Sequence, residues 1–512
     1  MKKAKIITDR HYIKGEVDKN LYGSFVEHIG RCIYEGIYEP GSRFADENGL
    51  RLDVIELVRE LDVPIMRWPG GNFVSGYNWE DGIGPKESRP PRLELAWGVI
   101  ESNQFGIDEF ADWCRKVETE PLVAVNLGTD TSDSARRMVE YCNHPSGTAL
   151  SDLRIKNGHK EPHGIKYWCL GNEMDGPWQI CAKTAYEYAR IANEAAKVMK
   201  WVDPSIKLVA CGSSGLGMKT FGEWEVTVLD ECYDNVDYIS LHTYYGNHAK
   251  DTPSFLANTV GFNDFIKAVI SICDYVKAKR HSRKDIMLSF DEWNVWYHSH
   301  NAPFDKWSKQ PQRINEDHYN FEDALLVGGM LISLINNCDR VKIACLAQLV
   351  NVIGPIMTGR DGIFRQTIFW PFAQASKYGR GTALDLRIDC PKYDAKNYTD
   401  VPILDVAAVA NEENETISLF IVNKDLEEDV EVTCDLRQYE GYKVKESTEM
   451  ISDDLLATNW FGDEKIRPAK TDNAALNDGI LTAVLKPASW NVIILKKSLI
   501  SFTANRSNKK QT

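Results

Sequence analysis

Eight short apolar runs, each followed by a loop and then by a segment of helical period, occupy the first three quarters of this chain; such repeated strand-helix units build a parallel sheet. The runs are Leu21–Glu27, Pro64–Trp68, Pro121–Leu127, Lys166–Leu170, Lys207–Cys211, Asp237–His242, Ile286–Asp291 and Val341–Gln348. Between them Leu52, Ile55, Val58 and Leu61 share one helical face, as do Ile107, Phe110, Cys114 and Val117. Further helices are expected over Ser134–Cys142, Lys183–Trp201, Asp264–Lys279 and Phe321–Asn337. Within the last, Ala324–Ile335 is about half of what a bilayer span needs and contains a Gly pair, so it reads as a buried core helix. A doubly wound open sheet alternates in the same way. However, no Gly-rich nucleotide fingerprint follows the first run, and eight strands in about 330 residues match a closed (β/α)8 TIM barrel.

After about Gly379 the texture changes to short alternating strands such as Ile417–Val422 and Asn491–Lys496, separated by Asn, Asp, Glu and Gly turns, which predicts a C-terminal β-sandwich. The barrel is expected over residues 18–375, the sandwich over 376–500, and a polar, flexible tail over 501–512.

The net charge of −14 repels phosphate backbones and anionic headgroups, and no basic run reverses it locally, so neither nucleic acid nor a membrane surface is an expected partner. The start, Met1-Lys2-Lys3-Ala4-Lys5-Ile6-Ile7-Thr8, has a basic beginning but too short an apolar stretch for a secretory signal. The 12 cysteines lack zinc-type spacing, and Cys169, Cys211 and Cys345 sit inside apolar runs as small hydrophobes. Together these features predict a cytoplasmic protein. No HExxH or comparable histidine cluster suggests a metal.

Functional side chains of such a barrel lie at the carboxyl ends of its strands. Polar residues stand at nearly every such position: Glu27 and His28, Arg67 to Asn72, Asn126, Asn172 and Glu173, His242 to Tyr245, Asp291 to Asn294, and Gln348. Cleavage of a glycosidic bond needs one carboxylic acid to protonate the leaving oxygen and one carboxylate to attack or stabilise the oxocarbenium-like centre. Glu173 and Glu292, from strands four and seven, are the natural acid/base and nucleophile, with an expected separation of about 5 to 5.5 Å. Arg67 is placed to hold Glu292 ionised, and the charge of Glu292 to raise the proton affinity of Glu173.

A lone Glu after a strand is usually a cap or a surface residue. The coincidence of two tracts, Cys169-Leu170-Gly171-Asn172-Glu173 and Ser289-Phe290-Asp291-Glu292-Trp293-Asn294, in strands separated by the right count favours function. The glycines of Arg67-Trp68-Pro69-Gly70-Gly71-Asn72, taken alone, favour a tight turn over a site role. His242 reads as a core histidine or as a site residue, and Trp97 and Trp296, in long polar loops, as sugar-stacking platforms rather than core. The long segments Ser75–Gly98 and Tyr297–Tyr319 are expected to be rims of the site or subunit contacts.

These residues resemble the α-L-arabinofuranosidases of glycoside hydrolase family 51 over nearly the whole chain. The resemblance is carried by Tyr22-Gly23-Ser24-Phe25-Val26-Glu27-His28, Arg67-Trp68-Pro69-Gly70-Gly71-Asn72-Phe73, Trp168 through Trp178, Asp291-Glu292-Trp293-Asn294-Val295-Trp296 and Ala347-Gln348-Leu349-Val350-Asn351. It implies release of terminal non-reducing α-L-arabinofuranosyl residues from arabinan, arabinoxylan or oligosaccharides, by a retaining two-step mechanism without metal or cofactor. It further implies that Glu27, Asn72, Asn172 and Gln348 hydrogen-bond the furanose, with Tyr244 and Arg67 close to the nucleophile. The sandwich would be a jelly roll joined by residues 1–17, chiefly a strand near Ala4 to Thr8, and the assembly a homo-oligomer, often a hexamer. Thr243 departs from the Gln of the family pattern, and 301–319 does not align. Two other readings stay open at this point: an endo-β-glycanase of the same barrel clan, and a non-catalytic carbohydrate-binding protein.

Overall fold

The computed structural model describes residues 1–299 and 304–498. The expected tail, 501–512, and the start of the 301–319 stretch lie outside them.

Eight parallel strands close a barrel: β1 (Gly23–Phe25), β2 (Ile65–Trp68), β3 (Glu120–Val125), β4 (Tyr167–Leu170), β5 (Lys207–Ala210), β6 (Tyr238–Tyr245), β7 (Met287–Val295) and β8 (Val341–Ala347). Each apolar run of the sequence holds one of them, because a strand covered on both faces must be apolar throughout. A main helix follows each strand on the outside: α1 (Leu52–Leu61), α2 (Ile107–Val117), α3 (Ser132–Asn143), α4 (Ala185–Val202), α5 (Glu223–Cys232), α6 (Asn258–Lys279), α7 (Phe321–Asn336) and α8 (Phe369–Tyr378). The starts of α4 and α7 are fixed by reciprocal caps, Thr184 with Glu187 and Asn320 with Asp323.

The sequence pattern did not reveal α5 or α8. Helix α5 is only 10 residues long with acids in its first turn, and α8 carries Pro371 near its start. Proline is tolerated there because a first-turn N–H lacks an intrahelical partner anyway, although the residue reads as a breaker. Helix α6 begins six residues before the expected Asp264, since Asn258-Thr259-Val260-Gly261 is a poor helix former held by packing, with Thr259 and Gly261 buried. Strands β6 and β7 run on past their apolar cores to Tyr245 and Val295, paired as Glu292 with His242 and Asn294 with Tyr244. Backbone pairing continues where the hydrophobic signal stops.

Ten of the remaining strands form one sheet. Its main members are β9 (Gly381–Asp389), β10 (Leu404–Asn411), β11 (Thr416–Asn423), β12 (Val430–Asp435), β13 (Tyr442–Met450), β14 (Ile480–Leu485) and β15 (Ser489–Lys497), hydrogen-bonded in the order β13-β15-β11-β10-β9, then an N-terminal strand, then β12-β14. That N-terminal strand, Lys2–Val17, pairs antiparallel with β9 and parallel with β12, and its register shifts between Thr8 and Ile13. Residues from both ends of the series, including Val444 and Leu476, pack with Ile6, Ile417 and Leu419 on one core, so the sheet folds over on itself as a sandwich.

The outer face of this sheet is covered as well. In β11, Ile417, Leu419 and Ile421 point into the sandwich, whereas Phe420 and Val422 join the core of the barrel. Helix α7 lies at this contact, buried from Phe321 to Ile335 as expected, and its Gly pair permits the approach. A Cβ on Gly328 would sit 2.7 Å from the Trp490 ring, and one on Gly329 would sit 2.6 Å from Thr259. Gly328→Val should therefore overpack the junction and lower stability by about 1–3 kcal/mol. Chemical denaturation followed by tryptophan fluorescence measures this, with turnover per folded molecule retained.

Candidate active site

The carboxyl ends of the barrel strands bring Glu27, Arg67, Asn172, Glu173, His242, Asp291, Glu292 and Gln348 into one buried group, with Tyr244 half-buried at its edge. Arg67, ending β2, is 1% exposed and stacks on the Phe25 ring, its guanidinium carbon 4.5 Å from the ring centre. It donates from Nη1 to Glu292 Oε2 at 2.7 Å and from Nη2 to Asn172 Oδ1 at 2.6 Å. The Tyr244 hydroxyl donates to the other oxygen of Glu292 at 2.8 Å. Both oxygens of the expected nucleophile are thus fixed in orientation by donors.

Glu173 has φ 44°, a left-handed conformation seldom adopted by a side-chain-bearing residue. Its Oε1 lies 2.9 Å from His242 Nδ1, and its Oε2 accepts the Trp178 indole N–H at 2.7 Å. Burial and then the charge of Glu292 raise its pKa, while the bonds from His242 and Trp178 pull in the opposite direction. Oxygens of Glu173 and Glu292 and a ring nitrogen of His242 all lie within 4.8 Å of one another.

His242 also reaches Asp291, with Nε2 3.0 Å from Oδ1. Burial alone would lower its pKa, but Glu292, Asp291 and Glu173 around the ring push it up to about 10. Burial disfavours charge on Asp291 too, yet Arg67 and His242 hold its carboxyl below the usual range. The sequence places Asp291 at a strand end without giving it a role. In a regular strand two consecutive residues face opposite sides, but β7 is irregular here, its register slipping between Ser289 and Glu292 against β6 and between Phe290 and Trp293 against β8. The bulge lets Asp291 and Glu292 both reach the cluster. Two adjacent acids at the end of an apolar strand are the signal that could have found it.

Glu27, after β1, accepts the Phe73 backbone N–H at 3.1 Å, the Trp97 indole N–H at 2.9 Å and the Gln348 amide at 2.9 Å. Burial and the charge of Glu292 push its pKa up to about 8. Gly70 and Gly71 make room for it, since a Cβ on Gly71 would fall 2.6 Å from Glu27 Oε2. The glycine pair therefore serves the site as well as the turn. Asn72, half-buried, opens the 3-10 turn Asn72–Gly76 beside it.

Trp97 is half-buried with its indole edge committed to Glu27, and Trp296 packs edge-on against Tyr244, ring centres 5.4 Å apart. Both belong to the wall of the site and pack against the barrel core. Trp178 is the more exposed ring, at 52%, and sits directly on Glu173. Asn126 instead ties its own loop through Tyr77 and Thr129, and His28 is locked between Trp68 and Glu101.

Two clusters among the described residues place His and carboxylate atoms as close as metal ligands: Glu173, His242 and Glu292, and, away from the site, Asp108, His159 and His163. In the first, Arg67 already supplies positive charge and donors occupy the carboxylates. In the second, Arg115 donates to His163 Nδ1 at 2.9 Å, so His163 Nε2 carries the proton facing Asp108 at 2.8 Å. A metal at Nε2 would force a second N–H against the guanidinium. Neither donor set suits an ion.

Arg67→Ala leaves Glu292 buried without its cation and should cost about 3–5 kcal/mol of stability. Turnover should fall by roughly hundredfold or more. Thermal melting and steady-state kinetics on the same preparation check both.

Comparison with known proteins agrees with this architecture. Residues 57–262 match the family model described as the α-L-arabinofuranosidase 1 domain, and residues 291–489 match the α-L-arabinofuranosidase C-terminal domain. The chain is 58% identical over 497 residues to an intracellular exo-α-(1→5)-L-arabinofuranosidase of Halalkalibacterium halodurans, covering 96% of this chain and 99% of that protein. A protein of the same description from Bacillus subtilis is 56% identical over 501 residues, covering 97% and 100%. The solved structure of a family 51 α-L-arabinofuranosidase from Bifidobacterium longum superposes with a TM-score of 0.93 at 42% identity, over 96% of this chain and 99% of that one. With full-length relatives at this identity and the same fold, the chain belongs to the family 51 α-L-arabinofuranosidases, a family of glycoside hydrolases.

Proposed function

We propose that this enzyme releases terminal non-reducing α-L-arabinofuranosyl residues by double displacement, with Glu292 as nucleophile and Glu173 as general acid and then base. The observation that carries the reading is the approach of oxygens of Glu173 and Glu292 to within 4.8 Å. Carboxyls about 5 to 5.5 Å apart suit direct attack on the anomeric carbon, whereas inversion needs about 6.5 to 9.5 Å to admit a water. In the first step Glu292, oriented by Arg67 and Tyr244, attacks the anomeric carbon as Glu173 protonates the departing oxygen. In the second, Glu173 takes a proton from water, which cleaves the glycosyl ester. Glu27, Asn72, Asn172 and Gln348 bind the furanose hydroxyls, and Trp97, His242 and Trp296 shape and orient the pocket around them. Bonds that tighten as the ring flattens are the ones that lower the barrier.

Arabinan, arabinoxylan and arabino-oligosaccharides are the substrates in this reading, and the descriptions of the bacterial relatives favour α-(1→5) links. The same descriptions support an intracellular location, and no helix among the described residues is long and apolar enough to cross a membrane. Family membership supports a homo-oligomer, taken as a hexamer, which light scattering measures.

A mechanism-based arabinofuranosyl inactivator should label the peptide holding Glu292, and NMR should show the α-anomer as the first product. A β-anomer would overturn the displacement mechanism, and cleavage within a polymer backbone would favour an endo-glycanase. The hydrogen bond from Trp178 favours the ionised form of Glu173, so Trp178→Phe should raise the Glu173 pKa further. The acid form would then persist to higher pH, moving the alkaline limb of the kcat/KM profile upward.

A further inference from the structure

The rim of the pocket contains a strand whose hydrophobic alternation is inverted. Arg92–Glu94 and Val99–Glu101 form a short antiparallel hairpin that presents Trp97 at its tip. Leu93 and Leu95 are 59% and 62% exposed, while Glu94 between them is 6% exposed. A hairpin of this composition would ordinarily bury the leucines and hydrate the acid. Local rules are broken in this way where a residue serves a site.

What the buried carboxylate does is visible in its bonds. One oxygen of Glu94 accepts the backbone N–H of Ala96 at 2.8 Å, and the other accepts that of Trp97 at 2.7 Å. The turn is closed from inside by these two bonds. Immediately beyond it, the Gly98 carbonyl accepts the Trp307 N–H at 2.6 Å, and Ile100 donates to the Ser308 carbonyl at 2.9 Å. The chain on either side of Trp97 is therefore fixed, before it by Glu94 and after it by residues 307 and 308. The indole N–H then falls 2.9 Å from Glu27 Oε1, whose partner oxygen is held by Gln348.

We propose that Glu94 is a positioning residue for the furanose pocket, holding the turn at residues 94–97 so that Trp97 donates to Glu27 and Glu27 faces the sugar. Glu94 touches no substrate. Its effect passes through the Trp97 indole, so removing either residue should misplace Glu27 in the same way. Burial without a cation pushes the Glu94 pKa up to about 7, which marks a carboxylate kept where its ionisation is disfavoured.

The proposal rests on the reading of Glu27 and Trp97 as pocket residues, and a mutant cycle separates the two. KM and kcat for p-nitrophenyl α-L-arabinofuranoside would be measured for wild type, E94A, W97F and the double variant, with thermal midpoints alongside. E94A and W97F should each raise KM roughly tenfold, as loss of one buried hydrogen bond does, with kcat changing far less. The double variant should be no worse than W97F, because both substitutions remove the same contact. Two independent effects that multiply in the double variant would overturn the proposal. So would a wild-type KM in E94A beside an impaired W97F, which removes Glu94 alone. A wild-type KM in W97F would instead remove the pocket role of Trp97, and Glu94's with it. If E94A does not fold, E94Q, which keeps one acceptor, enters the cycle in its place.

Discussion

Four carboxyl groups, Glu27, Glu173, Asp291 and Glu292, share one buried space with two cationic groups, Arg67 and His242, and the remainder of the site follows from that imbalance. Unpaired negative charge is too costly to bury, so the acids divide. Arg67 pairs with Glu292 and holds Asp291 low in pKa, whereas Glu173 and Glu27 are raised. Two carboxyls in unlike electrostatic surroundings thereby stand close together, the arrangement that the proposed roles of Glu173 and Glu292 need.

Holding so many like charges together demands a rigid frame, and the barrel provides it at strand ends. The bulge in β7 aims two consecutive acids at the same cluster. Asp291 steadies the His242 ring from one side while Glu173 meets it from the other, so the histidine acts as a strut between strands four, six and seven. Glycine permits close approach where a methyl group would intrude, at Gly71 against Glu27 and at Gly328 against Trp490. One serves the chemistry and the other locks the sandwich onto helix α7.

Much of this was legible in the sequence. All eight strands stood out because a doubly covered strand has to be apolar, and helix α7 because an apolar run of that length, too short to span a bilayer, has to be buried in a core. Glu173, Glu292, Arg67, Asn172, Tyr244 and Gln348 were recognisable as abrupt polar residues after such runs. Helices α5 and α8 were hidden by short length and an early proline, and α6 was read too short because its first turn is held by packing. The long, polar loops around Trp97 and Trp296 favoured sugar-stacking platforms over core, and only the fold shows both rings half-buried against the barrel.

The sequence by itself determined the kind and order of the elements, and where along them the chemistry must lie, since both depend on periodicity and on residue type at strand ends. Only the tertiary structure decided which charges meet. That Asp291 turns inward beside Glu292, that Trp178 caps Glu173, and that Glu94 is buried between two exposed leucines all depend on register, bulges and contacts between residues far apart in the chain. Electrostatic energy varies with distance and burial, and neither is written in the local pattern of a sequence.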